Sequence, residues 1–305
     1  MRKLGSSAGQ RLESYADILD FSLTNPREFW SALWAFAGVK ASVRGDRILV
    51  DEDKMPGARF FPDARLNYAQ NLLIKDDDSP ALIFRGENKV RRTMSWKQLN
   101  RSVARLHHAF AKAGLKPGDR VAAIVPNLPE TIVAFLATIS LGGVWSSCSP
   151  DFGERGILDR FGQIEPRFLV TCDGYYYNGR TIPLAAKIDA VLKQLPSVEE
   201  TIIIDYIGTA TDISRTLPRA VAYDDYITRR KSTAINFAQL PFDHPLYILY
   251  SSGTTGIPKC IVHRAGGILL KHLSELLLNS DVKPSDRLFY FTTCGWMMWN
   301  WLVSG

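Results

Sequence analysis

Along the middle of the chain, apolar positions alternate between helical and strand spacing. Leu99, Val103, Leu106 and Phe110 recur every three or four residues up to Gly114. Ser95 stands before them as an N-cap, with Gln98 three residues on as its capping-box partner, so a helix is predicted from Ser95 to the Pro117-Gly118 turn. Short apolar runs of strand length follow at 121–125, 144–148, 168–172 and 201–205, and the longer helical period fills 128–141, 156–164 and 185–195 between them. Parallel strands need crossover connections, so this alternation predicts an α/β fold: mostly parallel sheet layers covered by helices. In such sheets ligands bind at the carboxyl ends of the strands. Upstream, 81–84 and 90–93 flank Gly86-Glu87-Asn88, a hairpin signal. Residues 31–39 and 65–74 read as short helical pieces around the Pro/Gly-rich segment 56–62, and the turn Asp76-Asp77-Asp78-Ser79-Pro80 sets a boundary near 79. Residues 1–78 are thus expected to form a helical extension packed by its aromatics on a larger body, 79–305. Residues 206–243 are polar and irregular and predict a loop region between two sheet segments.

Composition narrows the class. With 305 residues, 46% hydrophobic and 22% charged, the chain is neither disordered, nor collagen-like, nor a disulfide scaffold. The charge excess, 37 − 31 = +6, is spread along the sequence. Anionic small molecules fit this charge as well as nucleic acid does; the short clusters Arg91-Arg92 and Arg229-Arg230-Lys231 read as solvated faces, so no nucleic-acid role is assigned. Cys148, Cys172, Cys260 and Cys294 lie 24, 88 and 34 residues apart without a C-x-x-C pair or clustered histidines, the pattern of inert thiols in a reducing cytoplasm and of no metal site. Glu13, Asp17 and Asp20 interrupt any N-terminal targeting pattern. The longest apolar stretch, 131–145, falls short of the roughly 20 residues that span a bilayer, so no membrane association is expected.

One segment carries chemistry. After Pro245, the apolar run Leu246-Tyr247-Ile248-Leu249-Tyr250 opens into Ser251-Ser252-Gly253-Thr254-Thr255-Gly256-Ile257-Pro258-Lys259. A polyphosphate needs closely approaching backbone N–H groups, which glycine permits, hydroxyl donors, and a cation to offset its charge. This stretch supplies all three. It departs from the common NTPase loop, where Lys follows the second glycine directly, because Ile257-Pro258 intervene. A flexible Ser/Gly turn between two strands is the bland reading, and the Lys, the Pro and the preceding apolar strand weigh against it.

Tyr250-Ser251-Ser252-Gly253-Thr254-Thr255-Gly256-Ile257-Pro258-Lys259 resembles the signature of the adenylate-forming superfamily of acyl-CoA synthetases. Within it, Phe60-Phe61-Pro62-Asp63-Ala64-Arg65-Leu66-Asn67-Tyr68-Ala69, Ser146-Ser147-Cys148-Ser149-Pro150-Asp151-Phe152-Gly153, Cys260-Ile261-Val262-His263, Gly266-Gly267 and residues 286–301 resemble the acetoacetate:CoA ligases, and the likeness runs from about residue 28 to the end. The resemblance implies an ATP-dependent ligation of acetoacetate to CoA through an acyl-adenylate, with Mg²⁺ accompanying ATP. It implies that Ser251, Ser252, Gly253, Thr254, Thr255, Gly256 and Lys259 grip the ATP phosphates, Thr254 and Lys259 stabilising the charge that builds during transfer. Thr293, Gly295 and Trp296 would line the acyl pocket, Trp296 limiting its length, whereas Met297, Met298, Trp299 and Trp301 read rather as core than as pocket. In Tyr177-Asn178-Gly179-Arg180, where related synthetases carry an R-x-x-R pair at the CoA nucleotide, only Arg180 remains, as a weak CoA contact or a solvated arginine. His107 and His108 read as a helix face and His263 as a structural histidine. An acetyl- or propionyl-type ligase is the near variant.

Family members are about twice this long, and the apolar run 296–303 ends at Ser304-Gly305. The expectation is therefore an N-terminal fragment, with an incomplete first domain and no small C-terminal domain. On its own it would be inactive, or a non-catalytic remnant.

Overall fold

The computed structural model describes residues 2–228, 234–251 and 256–305. Its centre is a seven-stranded sheet built from β1 (Arg120–Ile124), β2 (Val144–Cys148), β3 (Phe168–Cys172), β4 (Glu200–Ile204), β5 (Ala220–Ala222), β6 (Pro245–Ser251) and β7 (Lys259–Arg264), in the order β5-β4-β3-β1-β2-β6-β7. All neighbours are parallel except β6 and β7, which form an antiparallel hairpin at one edge. Val121 faces Trp145 across β1 and β2, and Trp145 in turn faces Tyr247 of β6. The carboxyl ends of β1, β2, β3, β4 and β6 therefore share one edge of the sheet.

Helices α1 (Trp96–Lys112), α2 (Pro129–Ser140), α3 (Glu154–Phe161), α4 (Ala185–Lys193), α5 (Ala265–Ser274) and α6 (Met297–Ser304) supply most of the helix in the body. The capping box of α1 is formed as the sequence requires: Gln98 N–H donates to Ser95 Oγ at 3.2 Å, and Ser95 N–H to Gln98 Oε1 at 2.8 Å. Helix α2 is buried almost all round, as its continuous apolar run demands. Its Phe135 ring meets Tyr68, Trp145, Tyr247 and Trp299 at centroid distances of 6.4, 6.0, 6.4 and 5.6 Å, joining the N-terminal region, the sheet and α6 in one core.

Residues before the sheet follow the expected outline with different boundaries. Helix Pro26–Phe36 starts five residues before the predicted 31–39, because Pro26 occupies the first turn, where its missing N–H costs nothing. The predicted helical piece 65–74 is split. Arg65–Leu66 is a strand between Ala41–Val43 and Leu240–Pro241, and only Tyr68–Leu72 is helical, started by Asn67, whose Oδ1 accepts from Gln70 N–H at 3.3 Å. Helix Tyr15–Thr24, with Ser14 and Asp17 as its capping box, had no counterpart in the sequence reading. Its Ile18 and Phe21 join Leu4, Leu12, Phe29 and Ala32 in a satellite cluster. The hairpin Pro80–Gly86 with Val90–Ser95 is present as predicted. Residues 206–243 are not simply a loop. Helix Ala210–Thr216, strand β5 and helix Tyr223–Thr228 lie there, too short and too sparsely apolar to show a period.

Candidate functional site

The candidate site is built at the carboxyl edge, where β2 and β6 end side by side. Ser251, the last residue of β6, is in register with Lys259, the first of β7, so seven residues, 252–258, close the hairpin at that edge. Lys259 and Gly256 are exposed. Ser252, Gly253, Thr254 and Thr255 lie outside the described residues, as do Arg229, Arg230 and Lys231 of the second basic cluster.

Below the loop, hydroxyls and aromatics tie the strands together. Ser146 Oγ donates to the Ile248 carbonyl at 3.0 Å and lies 3.0 Å from the Tyr250 hydroxyl. Burial holds that phenol well above its ordinary pKa, so it stays protonated. Arg160 of α3 sets its guanidinium over Phe152 at 4.4 Å and reaches the Tyr250 ring at 5.8 Å. Three residues on, the Gln163 amide donates to the Pro258 carbonyl at 2.8 Å. The loop after β2 is pinned by Lys187 Nζ, which donates to the carbonyls of Pro150 and Phe152 at 2.6 and 3.0 Å. Ser149 Oγ donates to Asp151 Oδ2 at 2.6 Å in the same loop.

The segment predicted to line an acyl pocket lies against the end of β2. Ser147 Oγ accepts from Trp145 Nε1–H at 3.0 Å and donates to the Cys294 carbonyl at 2.6 Å. A Cβ placed on Gly295 would lie 3.4 Å from the Cys148 Cα, so this backbone runs at van der Waals distance from the strand. Thr293 accepts from Trp296 N–H through its carbonyl at 3.2 Å. The structure thus brings Ser251, Lys259, Thr293 and Gly295 to adjoining strand ends. Trp296 is 68% exposed, whereas Trp299 is buried, donating from Nε1 to Asn127 Oδ1 at 2.8 Å in the loop after β1. Of the two readings left open for Trp299, core packing is the one realised.

Arg180 stands apart. Strands Gly174–Tyr177 and Arg180–Pro183 form a hairpin following β3, two strands from β2, and its turn residues Asn178 and Gly179 take left-handed φ values of 50° and 73°. Gly179 N–H donates to Glu87 Oε2 at 3.1 Å, and the Arg180 side chain is exposed.

Other titratable groups are structural. His107 Nδ1 pairs with Ser140 Oγ at 2.8 Å, and burial lowers its pKa to about 4. His263 packs on the Tyr247 ring at 5.0 Å, its pKa also lowered by burial. Cys148, Cys172 and Cys294 are buried free thiols, and burial pushes Cys148 up to about 12. Among the described residues, no three His, Cys, Asp or Glu side chains gather as metal ligands, and no helix is long and apolar enough to cross a membrane.

Three residues at this edge were missed in the sequence reading. Asp173, fully buried after β3, accepts N–H bonds from Tyr206, Ile207 and Thr209 at 2.7–3.2 Å and fixes the loop after β4. Arg160 and Gln163 hold the hairpin, yet an arginine and a glutamine at the end of a surface helix form no pattern that a single sequence reveals.

The mostly parallel α/β sheet with a hairpin at its carboxyl edge frames the site, and the family comparison names the class. Residues 74–305 match the model of the AMP-binding enzymes, and residues 15–72 that of the acetyl-coenzyme A synthetase N-terminus. The chain belongs to the AMP-binding enzyme family. It is 50% identical over 301 residues to acetoacetyl-coenzyme A synthetase of Rhizobium meliloti (strain 1021), covering 99% of this chain and 46% of that protein. Malonamoyl-CoA synthetase of Penicillium aethiopicum is 39% identical over 317 residues, with 100% of this chain and 44% of that one covered. The solved acetoacetyl-CoA synthetase of Streptomyces lividans superposes with a TM-score of 0.92 at 40% identity, over 99% of this chain and 47% of that one. The chain spans a little under half the length of these relatives.

Proposed function

We propose that the protein carrying this chain joins acetoacetate to CoA at the expense of ATP, and that the 252–258 hairpin holds the ATP phosphates. The observation that carries this reading is the register of Ser251 with Lys259 at the carboxyl edge, beside the end of β2. The seven residues between them carry hydroxyls and glycines in sequence, and Lys259 at the exit is exposed.

In the first step a carboxylate oxygen of acetoacetate bonds to the α-phosphorus, and the bond from that phosphorus to the bridging oxygen breaks. Pyrophosphate leaves, with Mg²⁺ arriving and departing on the phosphates as part of the substrate. In the second step the CoA sulfur, losing its proton, bonds to the acyl carbon as the carbon–oxygen bond to AMP breaks. Negative charge accumulates on the departing pyrophosphate, so fixed donors of the hairpin and Lys259 stabilise the transition state more than the ground state. Thr293, Gly295 and Trp296, in the segment lying against the end of β2, are the candidate acyl-pocket residues, and Arg180 is the candidate CoA contact. A cytoplasmic location belongs to the same reading.

The test is acid-dependent ATP–pyrophosphate exchange by the protein at the full length of its relatives, offered acetoacetate, acetate, propionate and butyrate in turn. Exchange driven best by acetoacetate is expected. Preference for acetate or propionate would move the protein to the near variant, and absence of exchange with every acid would overturn the ligase reading.

A further inference from the structure

The Gln163 side chain bonds on both sides of Lys259. Its Nε2 donates to two carbonyls, Asp159 at 2.6 Å and Pro258 at 2.8 Å, and its Oε1 lies 3.7 Å from Cys260 Sγ as acceptor of the thiol. An amide carries two donors and one acceptor oxygen, and here each has a partner of the correct polarity. Turning the amide over would aim Oε1 at two carbonyl oxygens, so its orientation is determined by chemistry. Asp159 lies in the last turn of α3, and the Asp159 bond anchors the amide to a rigid element. Burial raises the Cys260 pKa, which keeps the thiol protonated and able to donate. One residue after Asp159, Arg160 donates to the Gly156 carbonyl at 2.7 Å while lying over Phe152 and Tyr250. Helix α3 and the turn that follows it therefore touch the hairpin at Tyr250, near the end of β6, and at both neighbours of Lys259.

We propose that Gln163 is a positioning residue for Lys259, clamping the Pro258 carbonyl and the Cys260 thiol so that the ammonium leaves the strand in one direction, toward the ATP phosphates. The proposal rests on the phosphate-binding reading of the hairpin. Lys259 has a long, flexible stem and delivers a point charge, so its effect depends on where its backbone is held. Exposed hydrogen bonds add little to stability, but a misplacement of about 1 Å at a reacting group can cost roughly 10²-fold in rate.

The experiment uses the protein at full relative length and compares Gln163→Glu, Cys260→Val, Cys260→Ser and Lys259→Ala. Gln163→Glu keeps the shape but replaces both donors with oxygen, and is expected to raise the KM for ATP roughly ten-fold while leaving the KM values for acetoacetate and CoA within about two-fold. Thioester formation from preformed acetoacetyl-adenylate, which uses no ATP phosphates, should keep its wild-type rate; a variant that merely folds poorly would lose both. Cys260→Val should raise the ATP KM about three-fold and Cys260→Ser, which retains a donor, should restore it. An unchanged ATP KM in Gln163→Glu, with Lys259→Ala severely impaired, overturns the clamp and leaves the phosphate reading standing. Unimpaired exchange in Lys259→Ala overturns the reading beneath it.

Discussion

Strands β3 and β7 belong to one sheet and are both rich in apolar residues, yet they live in opposite environments. Every residue of β3, from Phe168 to Cys172, is buried between β1 and β4. In β7, Lys259, Cys260, Ile261, Val262 and Arg264 are exposed, and among the described residues β6 is its sole partner strand. The central strand is held by apolar burial on two faces. The edge strand is held by its ladder to β6 and by a few side-chain contacts, among them that of Gln163 just beyond α3. Candidate chemistry lies on the lightly held element and stability on the heavily held one, the division expected when a functional loop must yield to a ligand while its scaffold does not.

That contrast can be broken at either end. The largest expected effect is on the buried side: Phe135→Ala removes the ring joining four aromatics and should cost about 3–5 kcal/mol in urea denaturation. At the other end, Lys259→Ala should leave stability within about 0.5 kcal/mol and slow acetoacetate-dependent pyrophosphate exchange by about 10²–10³-fold. If the two substitutions exchanged signatures, the division would be wrong.

A pH titration sharpens the buried side. His272 hydrogen-bonds through Nδ1 to the hydroxyls of Tyr68 and Ser304 at 3.2 and 2.7 Å, and burial lowers its pKa from 6.5 to about 4. The unfolded chain then binds more protons between these values. Stability is fully present above pH 6.5 and is lost as pH falls toward 4, by up to about 3 kcal/mol for this residue. His272→Asn should flatten the corresponding slope of denaturation midpoint against pH. The smallest effect concerns Trp296, which is 68% exposed. Trp296→Ala should change stability by less than about 0.5 kcal/mol, and its use in the acyl pocket would appear as improved exchange with acids longer than acetoacetate.

What the sequence disclosed divides along the same line. Strands β1 to β4 and β6, helices α1 to α4, and the box of Ser95 and Gln98 were legible because covered faces impose continuous or periodic apolar runs and because caps have fixed spacing. Strand β5 and the helices around it were not: three- to seven-residue elements bury too few side chains to print a period. Arg65–Leu66 reads as helix because its pairing partners lie 22–25 and about 175 residues away, at Ala41–Val43 and Leu240–Pro241, beyond any local window. At the site, the hydroxyls, glycines and Lys259 were visible as composition within nine positions. Asp173 and Gln163 were invisible, since what they do depends on carbonyls and N–H groups brought to them by the sheet.

The central claim is that the hairpin closed by Ser251 and Lys259 receives the phosphates of ATP. Amide hydrogen exchange of the protein at full relative length, with and without Mg-ATP, tests it most directly. The account predicts that ATP slows exchange in peptides covering residues 250–260 and that Lys259→Ala abolishes this protection while peptides from β3 stay unchanged. Protection by ATP elsewhere in the protein, with 250–260 unaffected, would contradict it.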